Sequence, residues 1–342
     1  WYLHVAELAW QGQLPYRDFS YTQTPLLPYL YGLPQLLLGP DMTVGRATSA
    51  FFSVAALLAG VQAARRLGGT RAAALAALLM ATYSYGLYNN TLVKTYPLVS
   101  FFLVLALACH CSALPPRSRH LLVILAAAGA ACTRLSALPY LAAVVLYAFW
   151  TLRERRDRLV LAGFCLLLLA GAAAWFLPSP EAAWWNIFGQ HAGRWGEAGW
   201  QEKTGEILGR RIPRVLRYFA PYLLPLLLCL AWGRRRKRFD AIAGLPGGAW
   251  IHLLGLGLFA GAHLVTGRFM KEYLVPGIVA AAPLAAGVIG RTWARPGFRG
   301  PARWLLGLAL LWPLVSAPMR QTLRYIDLSG GRGPLAEVEE VA

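Results

Sequence analysis

The sequence predicts an all-α, polytopic transmembrane bundle of about ten spans, with external amphipathic juxtamembrane helices. Three observations carry that expectation. Of 342 residues, 57% are hydrophobic and 14% charged, where soluble domains carry roughly 25% charge. Mean hydropathy is +0.47. The apolar residues also fall in long Leu/Ala/Val runs, which can pair every backbone amide in hydrocarbon only as helices. Finally, the net charge of +18 gathers in clusters between those runs: Arg65-Arg66, Arg153 to Arg158, Arg234 to Arg238 and Arg291 to Arg303. This is the pattern of membrane orientation rather than of a nucleic-acid stripe, so nucleic acid is excluded as a partner and the lipid bilayer is implied.

Element by element, Trp1 to Gln11 is an amphipathic helix with Trp1, Val5 and Leu8 on one face. Gly12 to Pro28 is polar, aromatic and broken by prolines, and it sets Arg17 beside Asp18 between Tyr16, Phe19 and Tyr21. Thr24 to Gly39 is apolar but carries Pro25, Pro28 and Pro34 and falls short of the roughly 20 residues of a crossing. It reads as a juxtamembrane or re-entrant helix rather than a crossing. Spans are expected at 45–65, 72–88, 97–112, 120–133, 136–152, 159–177, 214–232, 246–266, 273–290 and 304–318. The chain thus divides into an external region 1–44, a membrane domain 45–318 with an external loop 178–213, and an external tail 319–342. The absence of an initiating Met and the helix-like ending AEVEEVA suggest missing flanking segments, including a further membrane helix and a soluble domain.

Strict alternation places every dense basic run on one side, the cytosolic one. That agreement requires 24–39 not to cross. The opposite face then holds the polar loops: 86–97 with Asn89, Asn90, Lys94 and Tyr96; the turn at Thr133-Arg134; 178–213; and 267–272, which reads GRFMKE.

Lys94, Arg134, Arg268 and Lys271 are cations on the face that the orientation rule depletes of charge. Guanidinium and ammonium groups suit a phosphate. Singly, each reads as a snorkelling interfacial residue; four together favour donor-phosphate binding. Asp18 has the chemistry of a general base or its orienter, with Arg17 keeping it ionised. Its plain alternative is a structural part of a tight Pro15–Phe19 turn. Glu7 is a second acidic candidate, although its place on the amphipathic helix also suits a solvated face. Arg17, Tyr16, Tyr96 and Tyr273 are candidate substrate or lipid contacts. Trp184, Trp185, Trp195 and Trp200 suit either sugar stacking or an interfacial helix. His191 stands in the same loop without metal-like company. The five cysteines lie in or beside apolar runs with no ligand spacing and read as small buried hydrophobes. No Walker, GxSxG, HExxH or CxxC motif occurs, which argues against a nucleotide-driven pump. No metal site or cofactor is expected from the spacing, and a divalent metal is left open.

GQLPYRDFSYTQTPLLPYLYGLPQLLLG followed by Gly45-Arg46 resembles the GT-C membrane glycosyltransferases. The resemblance is to the dolichyl-phosphate-mannose–protein mannosyltransferase-like group that includes the aminoarabinose lipid A transferases. Lys94-Thr95-Tyr96, Thr133-Arg134, and Arg268 with Tyr273 and Pro276 continue it more diffusely. It implies a GT-C-like bundle and transfer of a sugar from a polyprenyl-phosphate donor to a lipid, glycan or protein acceptor. It also implies a bacterial inner membrane with the active face outward. In that family the catalytic acid lies in the first external loop, at a position that would precede residue 1. Asp18 of YRDF is then carried over as a supporting group. The competing expectation is a lipid or solute transporter or flippase. Paired halves and midplane charges would mark it, and neither is visible.

Overall fold

The computed structural model describes residues 1–189, 204–216, 219, 248–264 and 271–294. Among them the chain is helical, with one isolated bridge, Pro15 to Phe19, in place of any sheet. In order, the helices are α1 (Tyr2–Trp10), α2 (Leu26–Leu38), α3 (Met42–Thr82), α4 (Ser84–Asn90), α5 (Thr95–His110) and α6 (Pro116–Thr133). They continue with α7 (Leu138–Thr151), α8 (Arg155–Ala174), α9 (Pro180–Trp184), α10 (Trp250–Leu264) and α11 (Val275–Trp293). Three described segments are long and apolar enough to cross a membrane: Met42–Thr82, Arg155–Ala174 and Glu272–Trp293. Leu26–Leu38, Thr95–His110, Leu135–Thr151 and Trp250–Leu264 are shorter apolar helices. Most of the expected span 214–232, the expected span 304–318 and the tail 319–342 lie outside the described residues.

α3 joins two expected spans. Gly69 breaks it, with φ 79° and ψ −169°, a backbone conformation open to glycine at little cost. The Gly68-Gly69 pair is therefore the hinge between the two apolar runs.

α11 forms the axis of the bundle, packed along α3 and α5 and buried from Val275 to Gly290. Its Ala/Gly-rich sequence explains the fit. Between helices in lipid, association relies on close van der Waals approach, which small residues permit. A Cβ on Gly68 would lie 2.5 Å from the Gly287 carbonyl oxygen, and one on Gly290 would lie 2.7 Å from the Ala72 Cβ. α5 packs on α6, α6 on α7, and α7 on α10. α8 is peripheral, with Leu161 its one buried residue, as expected of a helix facing lipid.

α1 and α2 cap one end of this bundle. Val5, Ala6 and Ala9 form the buried stripe of α1. The glycines that follow make room for it: a Cβ at Gly32 would strike the Trp10 indole, and one at Gly45 would lie 2.4 Å from a Leu3 methyl. The Trp10 indole nitrogen donates to the Tyr29 carbonyl at 2.9 Å. Thr24 donates to the Ala131 carbonyl at the far end of α6, 2.8 Å away, which anchors the opening loop over the α6–α7 turn. The segment expected as the loop 178–213 is partly helical: α9 runs into a π-helical turn, Trp185–Gly189, and a second such turn spans Ile207–Arg211. Ala183 and Ile187 pack against Val5, Tyr16 and Tyr21, while Trp184 and Trp185 point outward. That is the pattern of an interfacial amphipathic segment.

Candidate active site

The α6–α7 hairpin reverses at a single residue. α6 ends at Thr133, Arg134 takes an extended conformation (φ −154°, ψ 121°), and a 3-10 turn, Leu135–Ala137, leads into α7. Arg134 is therefore thrust from the helix ends into the bundle, where it is only 8% exposed. Its guanidinium lies 4.1 Å from the Tyr273 ring centroid and 5.5 Å from that of Tyr96. Nη1 donates to Thr95 Oγ1 at 3.1 Å. The two rings provide the negative quadrupole face that a cation favours. Among the described residues no carboxylate forms an ion pair with it. A guanidinium offers five N–H donors, and removing a charge from water is costly without a counter-charge. The site is consequently poised for an anion.

Lys94 reaches the same place from α5. It is the extended residue before Thr95, and its Nζ lies 5.7 Å from the Tyr96 centroid. Tyr96 thus carries a cation from each of two elements. Asn89 and Asn90 are buried behind it, with Ser100 donating to Asn90 Oδ1 at 3.3 Å and Ser53 to the Asn90 carbonyl at 2.8 Å.

Four residues complete the surroundings that the sequence did not single out as site residues. Thr95 is the Arg134 partner. His263, at the end of α10, packs its ring 5.3 Å from that of Tyr273. Tyr2 and Tyr21 stand within electrostatic reach of Arg134. Burial pushes both phenols above their ordinary pKa, and the Arg134 charge opposes that rise. Tyr21 is fully buried, stacked on Trp1 at 5.5 Å, and its hydroxyl has no hydrogen-bond partner among the described residues. No local sequence signal marks these residues, because only the docking of α1 and the opening loop over the hairpin brings them there.

The acidic candidates sit elsewhere. Asp18 closes the Pro15–Phe19 turn: Leu14 N–H donates to Oδ2 at 2.7 Å, and Arg17 donates through Nε and Nη2 at 2.9 Å each. Those bonds hold its carboxyl below the usual carboxylate range. None of these partners belongs to the Arg134 cluster. Tyr16, at a positive φ of 71°, turns inward; its hydroxyl donates to the Gln23 carbonyl at 2.5 Å and its ring stacks on Phe176 at 5.6 Å. Arg17 is half-exposed. Glu7 lies on the open face of α1, 3.8 Å from His4 and 3.4 Å from Gln11 Nε2. Lys271 opens a 3-10 turn that leads to Tyr273. Its side chain, Arg268, and His191, Arg194, Trp195 and Trp200 lie outside the described residues. Among the described residues no three His, Cys, Asp or Glu side chains gather as metal ligands. Cys109, Cys111, Cys132 and Cys165 are unbridged thiols, and Cys229 lies outside the described residues.

Fold and site together define an integral membrane helical bundle with a cluster of cations packed on tyrosine rings at one end. The model of the dolichyl-phosphate-mannose-protein mannosyltransferase family matches residues 22–184. Two solved structures share the fold at 20% identity over 91% of this chain. One is ArnT from Cupriavidus metallidurans in the apo state, with a TM-score of 0.61; the other is ArnT from that organism bound to undecaprenyl phosphate, at 0.57. The bundle is thus GT-C-like, as the opening motif led us to expect. The chain spans 56% and 58% of those two chains. No curated protein matches it significantly.

Proposed function

We propose that this chain is part of a membrane glycosyltransferase that takes a sugar from a polyprenyl-phosphate donor, with the donor phosphate at Arg134 and Lys94. The observation that carries the proposal is Arg134 itself: buried, held on two tyrosine faces and one hydroxyl, with no carboxylate partner among the described residues. A structural neighbour of the same fold was crystallised with undecaprenyl phosphate, a ligand of the chemistry that this pocket suits.

In this reading the acceptor hydroxyl attacks the anomeric carbon while the bond to the phosphate oxygen breaks. Charge then builds on the departing lipid phosphate, where Arg134 and Lys94 stabilise it. Arg268 and Lys271 are assigned to the same phosphate. Tyr96 and Tyr273 aim the guanidinium, and Tyr16 and Arg17 belong to the loop that covers the site. A carboxylate takes the hydroxyl proton; of the acidic candidates, Asp18 is assigned a supporting role and Glu7 stands second. The basic clusters orient the pocket away from the cytosol, which for a bacterial inner-membrane protein is the periplasmic face. The acceptor is a lipid, glycan or protein hydroxyl. A transporter needs ionisable groups near the midplane of broken helices, whereas Lys94 and Arg134 sit at helix ends.

The test is transfer of label from a radiolabelled polyprenyl-phosphate sugar by membranes holding the full-length protein. Arg134→Gln is expected to lower transfer by on the order of 10²–10³-fold, as for loss of one transition-state donor. Equal transfer by Arg134→Gln and the unaltered protein would overturn the assignment.

A further inference from the structure

α7 and α10 part to leave an apolar groove of about 450 Å³, which runs from Pro139, at the Arg134 end of α7, to Trp150 at the other end. Its walls include Pro139, Leu146 and Trp150 on α7, and Trp250, Leu254 and Leu258 on α10. Leu146 and Trp150 are strongly exposed, at 70% and 74%. In a bilayer such a surface faces acyl chains, which are as apolar as its own walls, so the groove alone selects nothing. Selectivity must come from its end.

That end is defined. Tyr147, in the groove lining, has Trp150 and Trp250 as edge-on neighbours, with centroids 6.5 and 5.8 Å away. Arg119 stands within electrostatic reach of Tyr147. Its Nε is buried and has no hydrogen-bond partner among the described residues. Immediately beyond Trp150 the chain turns through Leu152 into exposed Arg153, Arg155, Arg156 and Arg158. Arg158 Nε donates to the Leu152 carbonyl at 2.7 Å, which ties the basic turn to the end of α7. Against these stand Glu154 and Asp157, and Asp157 is drawn off to Arg117, 3.7 Å away. The excess is positive, and it sits where two tryptophans mark an interface. The Arg134 pocket lies at the opposite ends of α6 and α7, roughly 20 Å away along a helix of fourteen residues at 1.5 Å each.

We infer that the α7–α10 groove is a binding site for an anionic phospholipid of the cytosolic leaflet. Its acyl chain lies along Leu146, Leu254 and Leu258, and its phosphate is held by the exposed Arg153 and Arg155 of the turn beyond Trp150. Basic pockets between membrane helices on that side recognise such headgroups. The occupant is a bilayer lipid, and the inference does not depend on the transferase reading.

The test uses the full-length protein in nanodiscs holding a trace of phosphatidylglycerol with a photoreactive diazirine in its acyl chain. Labelled peptides are then mapped. Label is expected on α7 and α10, displaced by unlabelled phosphatidylglycerol and not by phosphatidylcholine. The exposed pair Arg153→Gln/Arg155→Gln is expected to weaken the competition curve by about 25-fold at low salt, roughly fivefold for each arginine removed. Ala142→Trp, which fills the groove and leaves every arginine in place, should abolish the label while sugar transfer continues. Equal displacement by phosphatidylcholine would overturn the inference. So would label elsewhere, or displacement by polyprenyl phosphate as effective as by phosphatidylglycerol, which would give the groove to the donor chain instead.

Discussion

Arg134 and Asp18 show how a charged side chain, cation or anion, takes its work from its surroundings. Arg134 is buried against Tyr96 and Tyr273, and a planar guanidinium stacked on rings is not replaced by a point-charge ammonium. Arg134→Lys is accordingly expected to recover little of the transfer lost in Arg134→Gln; recovery near the unaltered rate would show that charge alone matters. Asp18 is bound to Arg17 and to the Leu14 amide at the protein surface, and its pKa in the fold is depressed. The stabilisation from its carboxylate is therefore fully present above the ordinary carboxylate pKa of roughly 3.9. It is lost as pH falls through the lower folded value. Thermal unfolding should find Asp18→Asn less stable than the parent at neutral pH, with the gap closing on acidification below that range. A gap that widens in acid would contradict the turn geometry.

At the level of elements, the decisive contact is α11 against α3. A Cβ on Gly287 would lie 2.6 Å from the Leu67 Cβ, whereas one on Gly163, on lipid-facing α8, meets nothing within 4 Å. Gly287→Val is expected to cost about 1–3 kcal/mol, the range for overpacking a tight contact. Gly163→Val is expected to leave unfolding in detergent nearly unchanged. Equal effects from the two would mean that the α3–α11 approach is not what fixes the bundle. The same contact explains what the sequence left obscure. The expected break between the spans 45–65 and 72–88 falls at Gly68-Gly69 because the pair both turns the chain and admits α11. Hydropathy registers only the turn. The 178–213 segment read as a loop because its Trp, Gly and charged residues dilute any helical period; burying Ala183 and Ile187 against Tyr16 and Tyr21 supplies the helix with its reason.

For the whole molecule, charge and packing divide the bundle into two unlike ends. The Arg134 end carries tyrosines and a few isolated cations, while the opposite end carries the clusters at Arg65-Arg66 and Arg153 to Arg158. With the native cysteines replaced, Lys94→Cys in intact cells is expected to react with a membrane-impermeant maleimide, and Arg153→Cys only after lysis. The reverse result would turn the protein over and place the pocket in the cytosol.

The membrane class, the helical composition, the basic side and the unusual opening motif were all legible in the linear chain. Each is set by local hydropathy and charge, which the bilayer reads segment by segment. The candidate cations could be nominated as a group for the same reason, because four on one face outweigh the snorkelling reading that each invites singly. The linear reading set Lys94 and Arg134 on one face and offered Asp18 a turn role as an alternative; what it could not supply was the contacts themselves: Arg134 against the Tyr96 and Tyr273 rings, Tyr2 and Tyr21 within its electrostatic reach, and Asp18 held by Arg17 and Leu14 rather than by that cluster. Those outcomes depend on how helices far apart in sequence pack around the small residues of α11, and the free energy of that packing belongs to pairs of surfaces rather than to any one stretch of chain.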